Sequence, residues 1–117
     1  MISLINKKIL LIITGGIAAY KSLELIRLIK KSGGTVKSIL TKGGAEFITP
    51  LSVASLSGEK CYMDLFDLMD ETEMGHIQLS RWADIVVVAP CSADFMVKMA
   101  HGVANDLAST CILASNK

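Results

Sequence analysis

The chain has 117 residues, of which 51% are hydrophobic and 20% are charged, and its formal net charge is +1. A chain of this length supports one compact core, so we expect a single domain over residues 1–117. Its apolar runs are far shorter than the roughly 20 residues of a membrane-spanning helix, and it has no dense basic cluster. We therefore expect a cytoplasmic protein that binds neither membranes nor nucleic acid.

The chain begins with a pattern typical of a β-α-β unit. Lys8–Ile13 is a nearly continuous apolar run, which predicts a strand covered on both faces, and Ile17–Lys31 follows with helical spacing. Gly33 and Gly34 then end the helix, and Thr35–Leu40 is predicted to be a second strand. Such a unit is expected to be right-handed, with its two strands parallel.

The same alternation continues to the end of the chain. Further helices are predicted over Ala45–Phe47, Pro50–Leu56, His76–Trp82, Ala93–Ala100 and Leu107–Leu113, with a third strand over Ala83–Ala89. Alternating strands and helices predict an α/β protein with a doubly wound parallel sheet.

A pair of glycines, Gly15 and Gly16, separates the first strand from the first helix. Adjacent glycines allow a sharp turn and a close approach to a ligand, and the amides at the start of the helix favour an anion. The turn has neither the P-loop nor the dinucleotide pattern, and the second strand ends at Thr41 where a dinucleotide site would have an acidic residue. The pattern favours a mononucleotide, and a tight turn without a ligand is the alternative.

Three hydroxyl side chains follow the three predicted strands: Thr14, Thr41 and Ser92. The carboxyl ends of parallel strands share one edge of a sheet, where ligands of doubly wound proteins bind. These hydroxyls are therefore candidate ligands of one phosphate or ribityl chain. The alternative interpretation is that they form turns and cap helices.

His76 lies at the predicted start of a helix, directly after Gly75. The positive end of a helix disfavours the imidazolium, which leaves a neutral ring able to accept a proton. His76 is thus a candidate general base, although a histidine at this place is also typical of a surface or capping residue.

Five segments, in their order and spacing, resemble the FMN-containing cysteine decarboxylases. The segments are Thr14–Lys21, Phe47–Leu51, Met74–Asp84, Ala89–Asp94 and Ala104–Leu107. The resemblance implies a Rossmann-like flavoprotein fold of three α/β/α layers, FMN as cofactor, and homotrimers or homododecamers with FMN at subunit contacts. The implied reaction is the decarboxylation of 4′-phospho-N-pantothenoylcysteine to 4′-phosphopantetheine in coenzyme A biosynthesis.

The resemblance also implies roles for individual residues. His76 matches the active-site base of the family, and the flavin-binding residues fall in three turns. They are Gly15, Gly16 and Ile17 in the first turn, beside the candidate hydroxyl of Thr14, then Thr41 in the second, and Ser92, Ala93, Asp94 and Phe95 in the third. Many family members have Asn-Thr in place of Asp94 and Phe95.

The resemblance implies further motifs that do not occur before Lys117: a Pro-Ala-Met-Asn motif and a cysteine-bearing flap. We therefore expect a flavin domain that is incomplete at its C-terminus. The alternatives are a fragment, the product of a split or truncated gene whose missing motifs a separate chain supplies, and a non-catalytic, oligomeric remnant that holds FMN. A flavin prenyltransferase is a second alternative, disfavoured because its first turn usually reads Gly-Ala-Ser-Gly.

Overall fold

The fold is centred on a four-stranded parallel sheet with the strand order β3-β2-β1-β4. Its strands are β1 (Lys8–Ile13), β2 (Thr35–Leu40), β3 (Cys61–Tyr62) and β4 (Ile85–Val88). The bounds of β1 and β2 agree with those predicted from their apolar runs. The computed structural model describes residues 5–63, 79 and 81–102.

Two strands differ from the predictions. The third predicted strand, Ala83–Ala89, is shorter in the structure, where β4 covers only Ile85–Val88. Before it, the Asp84 amide donates to the Lys8 carbonyl at 2.7 Å, and the Asp84 carboxylate accepts from the Lys8 amide at 2.8 Å. The edge strand β3 was not predicted at all, since two residues are too few to show a period of two.

The first predicted helix consists of two parts. A 3₁₀ turn over Ile17–Tyr20 leads directly into α1 (Lys21–Lys31). The helical spacing predicts a buried stripe of Ala19, Leu23, Ile26 and Ile29, and all are buried except Leu23, which is partly buried. The chain leaves α1 through Gly33, whose φ of 93° is in the region that favours glycine.

The remaining helices begin at recognisable caps. A second 3₁₀ turn covers Gly44–Glu46, and α2 (Pro50–Ser57) begins after Thr49, whose hydroxyl accepts from the Ser52 amide at 3.1 Å. Helix α3 covers Ala93–His101. The predicted helix Leu107–Leu113 and most of the predicted helix His76–Trp82 lie outside the described residues.

The sheet is covered by apolar side chains on both faces, which confirms the doubly wound arrangement. One cluster joins β1 and β2 to α1 and α2 through residues such as Leu11, Ile26 and Val53. The other joins the opposite sheet face to α3, through Leu10, Ile39 and Phe95. Since successive residues of a strand point to opposite faces, both faces of β1 must be apolar, as its sequence predicted.

Among the described residues, no helix combines the length and the apolar character needed to cross a bilayer. Cys61 and Cys91 form no disulfide within the part of the chain that the structure describes, and Cys111 lies outside that part.

Candidate functional site

Three turns meet at the carboxyl edge of the sheet. Ile13 of β1 pairs with Leu40 of β2, and Ile12 pairs with Val88 of β4, so the three strands end side by side. We name the segments that follow them the first turn (residues 14–16), the second turn (residues 41–43) and the third turn (residues 89–92). The central position of β1 places the first turn between the other two, and the three turns share one edge of the sheet, as the strand pattern predicted.

Thr14 connects the first turn to the third turn. Its hydroxyl donates to the Pro90 carbonyl at 2.5 Å and accepts from the Ser92 amide at 2.7 Å. Its backbone amide also donates to the Pro90 carbonyl, at 3.3 Å. The Thr14 residue is only 1% exposed. The structure therefore gives this hydroxyl two protein partners, at the place where the sequence predicted a flavin ligand.

Thr41 connects the second turn to the end of β1 in the same manner. Its amide and its hydroxyl both donate to the Ile13 carbonyl, at 3.0 Å and 3.3 Å. The hydroxyl also accepts from the Gly44 amide at 3.1 Å. Thr41 thus holds β2's end to the central strand.

Ser92 caps α3. Its hydroxyl accepts from the Phe95 amide at 3.1 Å, and its carbonyl accepts from the Met96 amide at 2.9 Å. Ala93 and Asp94 form the first turn of α3, whereas Phe95 is 2% exposed and belongs to the core cluster under α3. Phe95, which was predicted to bind flavin, therefore lies in α3 with its ring in the core.

Glycines make the first and second turns fit together. A Cβ atom on Gly15 would lie 3.2 Å from the Gly43 carbonyl carbon, and one on Gly43 would lie 3.3 Å from the Gly15 Cα. Gly16 has a φ of 154°, which a residue with a side chain rarely adopts. The two turns are in backbone contact, so a side chain at Gly15 or Gly43 would require the facing backbone to shift slightly.

The first turn retains hydrogen-bond donors for a ligand. In the described part of the chain, no hydrogen bond is recorded for the amides of Gly15 and Gly16, whereas the Gly16 carbonyl accepts from the Ala19 amide at 2.9 Å. Ile17 begins the 3₁₀ turn. Free amides that precede a helical segment are suited to an anionic group such as a phosphate.

A cleft of about 240 Å³ opens between α1 and the third turn. Lys21 contributes an exposed ammonium group to it, a residue that the sequence reasoning did not assign to the site. The sequence could have indicated this residue, because Lys21 is the last residue of the Thr14–Lys21 segment that resembles the family. The cleft is lined by Ala18, Lys21, Ser22, Leu25, Ala89 and Pro90.

The predicted base, His76, lies outside the described residues. The nearby residue Leu79 is described and is buried in the core cluster that also contains Phe95. The role of His76 stays a prediction.

A parallel α/β sheet with a glycine turn at the end of its central strand defines the class of Rossmann-like nucleotide-binding proteins. The profile of the Flavoprotein family matches residues 3–117. The chain belongs to this family.

Relatives of known sequence support the same assignment. The chain is 50% identical over 111 residues to the coenzyme A biosynthesis bifunctional protein CoaBC of Haemophilus influenzae, and 47% identical over 113 residues to that of Escherichia coli. These matches cover 95% and 97% of the chain, but each covers only 28% of the relative. The chain thus spans less than a third of the curated relatives that it matches.

Solved structures share the fold. HAL3 from Cryptococcus neoformans matches with a TM-score of 0.82 at 29% identity, covering 95% of this chain and 65% of that one. A PPC decarboxylase complexed with pantothenoylaminoethenethiol matches with a TM-score of 0.79 at 28% identity, covering 95% and 62%. The FMN-binding protein AtHal3 matches with a TM-score of 0.77 at 27% identity, covering 95% and 60%. The predicted fold is confirmed, and the family and these neighbours support FMN as the cofactor.

The residues of the site fit this cofactor. Within the described residues, the amides of Gly15 and Gly16 donate no hydrogen bond and so can bind a phosphate, and Gly15 and Gly43 are in backbone contact. Lys21 adds a positive charge at the neighbouring cleft. These are the features that bind an anionic mononucleotide.

Proposed function

We propose that this chain binds FMN at the carboxyl edge of its sheet and carries the decarboxylase site for 4′-phospho-N-pantothenoylcysteine, a step of coenzyme A biosynthesis. The single observation that carries the proposal is the junction of three turns around Gly15 and Gly43, where the amides of Gly15 and Gly16 donate no hydrogen bond within the described part of the chain. The identities of the relatives, a coenzyme A biosynthesis protein and a PPC decarboxylase, support the substrate.

The chain's own residues have distinct tasks in this proposal. The amides of Gly15 and Gly16 bind the phosphate of FMN, and Lys21 balances its charge from the cleft. The chemistry that FMN would supply when bound is a two-electron oxidation of the cysteinyl carbon–sulfur unit, which creates an electron sink for the loss of CO2, and the return of the same two electrons after that loss, so that the overall reaction is redox-neutral. His76 accepts a proton from the substrate at a ring nitrogen.

The cofactor part of the proposal is tested by titrating FMN with the purified chain and following the flavin fluorescence. We expect quenching by the wild-type chain, and we expect Gly15→Val to weaken binding by about tenfold or more, because its side chain forces the first and second turns apart. Gly102→Asn is the control, since a Cβ atom there meets nothing within 4 Å and asparagine tolerates its φ of 67° better than other side chains. A wild-type chain that leaves FMN fluorescence unchanged would overturn the proposal.

The catalytic part is tested by CO2 release from 4′-phospho-N-pantothenoylcysteine. We expect His76→Asn to abolish turnover, while His101→Asn, at the exposed end of α3, retains it. Equal turnover in His76→Asn and wild type would remove His76 from the role of base. FMN binding without turnover by the wild-type chain would instead favour a flavin-holding protein without catalysis.

A further inference from the structure

The hydroxyl of Thr14 has partners that leave it little capacity for a ligand. Its one proton is donated to the Pro90 carbonyl, and it accepts a hydrogen bond from the Ser92 amide. A hydroxyl has a single donor, so a phosphate oxygen, which only accepts, cannot receive a hydrogen bond from Thr14 while the contact to Pro90 exists. Thr14 is also 1% exposed.

The same hydrogen bonds join the first turn to the third turn at two residues, Pro90 and Ser92. Thr14 fixes Pro90 through two donors, its amide and its hydroxyl, and fixes Ser92 through one acceptor. Ser92 in turn caps α3 through the Phe95 amide. The position of α3 and of the cleft wall at Pro90 is therefore coupled to one buried side chain at the end of β1.

We infer that Thr14 is a positioning residue: its buried hydroxyl holds the third turn against the first, and so sets the width of the flavin site without touching the flavin. This inference rests on the proposed function, because flavin is the ligand whose binding it explains. It differs from the role of a direct ligand, which the position of the Thr14 hydroxyl after the first predicted strand had indicated.

The two roles predict different losses of affinity when the Thr14 hydroxyl is removed, depending on whether the ligand is FMN or riboflavin, which lacks the phosphate. A direct phosphate ligand would strengthen the binding of FMN alone. A positioning residue sets the shape of the whole site, so Thr14→Val should weaken both flavins by the same factor, about tenfold. Thr14→Ser keeps the hydroxyl and should restore both affinities to within about twofold of wild type.

Ser57→Ala is the matched control. Ser57 is also buried, at 2% exposed, and its hydroxyl also connects a turn, by accepting from the Glu59 amide at 3.2 Å. It precedes β3, however, and therefore lies at the amino edge of the sheet, opposite the site. We expect Ser57→Ala to lower stability and to leave both flavin affinities unchanged.

A second readout requires no flavin. In the wild-type chain and in Thr14→Ser, the Ser92 amide proton should exchange slowly with solvent in amide-resolved NMR, and in Thr14→Val it should exchange at least about tenfold faster. Fast exchange of this amide in the wild-type chain would overturn the inference without any variant.

The outcomes separate the inference from the proposed function. A wild-type chain that binds no flavin contradicts the proposed function, and the Ser92 exchange rates then still decide whether Thr14 fixes the third turn. A wild-type chain that binds FMN, with Thr14→Val losing affinity for FMN but not for riboflavin, makes Thr14 a phosphate ligand and overturns the inference. Unchanged affinity for both flavins overturns it as well.

Discussion

At the scale of single residues, glycines decide how closely the backbone segments of the site approach. Gly44 is the most constrained of them, because a Cβ atom there would lie 2.7 Å from both the Ile13 carbonyl oxygen and the Leu40 Cδ1 atom. The Ile13 carbonyl cannot move easily, since it accepts both hydrogen bonds from Thr41. The close packing of the second turn against β1 therefore depends on the absence of a side chain at this position.

We expect Gly44→Ala to lower the free energy of unfolding by about 1 to 3 kcal/mol, because the added methyl group overlaps backbone and core atoms. Gly43→Ala is the control. A Cβ atom at Gly43 comes no closer than 3.3 Å to its neighbours, so Gly43→Ala should lower the free energy of unfolding by less than about 1 kcal/mol. Urea unfolding followed by circular dichroism measures both, and equal midpoints for the two variants would contradict the explanation.

Ser38 is a polar residue in the core of the sheet. It is fully buried in β2, and in the described part of the chain its hydroxyl has no hydrogen-bond partner. Burying a hydroxyl without a partner is unfavourable, so we expect Ser38→Ala to raise the free energy of unfolding by about 1 kcal/mol. Ser57→Ala, which removes a bonded hydroxyl, should lower it by a similar amount. A Ser38→Ala chain that unfolds at lower urea than wild type would refute this expectation.

At the scale of elements, the sequence pattern predicted the bounds of β1 and β2 but did not predict the contacts made by the turns that follow them. The apolar runs of β1 and β2 end at lysine, threonine and glycine residues, so both bounds were predictable. The hydroxyls after these strands were located correctly, but their partners were not predictable. Whether Thr14 faces a ligand or the Pro90 carbonyl depends on the path of a turn 76 residues away in sequence.

Two helices are joined at the amino edge of the sheet by a single side chain. Lys30 of α1 donates from Nζ to the carbonyl of Ser57, the last residue of α2, at 2.9 Å. A cation at a helix C-terminus satisfies a carbonyl and offsets the negative end of the helix dipole.

We expect Lys30→Met to lower the free energy of unfolding by about 1 kcal/mol, because α2 loses this cap while the apolar stem is retained. Lys31→Met changes an exposed neighbour and should cost less than about 0.5 kcal/mol. Thermal unfolding at low salt compares the two variants, and an equal loss for both would show that the effect is one of net charge.

At the scale of the whole molecule, β1 is the strand on which the fold and the site both depend. It pairs with β2 on one side and with β4 on the other, and Ile9 to Ile13 are buried. The edge strand β3 has two residues and pairs with β2. Strands that are buried and paired on both sides open only when the whole molecule unfolds.

Native-state hydrogen exchange should therefore rank the strands. We expect the amides of Ile9–Ile13 to exchange with the free energy of global unfolding, and the Tyr62 region to exchange at a free energy lower by about 2 kcal/mol or more. Mass spectrometry of peptides covering each strand provides the comparison. Equal protection of β1 and β3 would show that the sheet opens as one unit.

The hydrogen bonds of Thr14 and Thr41 also bear on how β1 finds its alignment. Residues 9–13 are apolar on both faces, so shifting the strand by one residue would exchange one set of aliphatic side chains for another. Hydrophobic patterning therefore discriminates weakly among alignments of this strand. A shifted strand would instead separate Thr14 from Pro90 and Ile13 from Thr41. The contacts that shape the proposed flavin site are thus also the contacts that specify the register of the central strand.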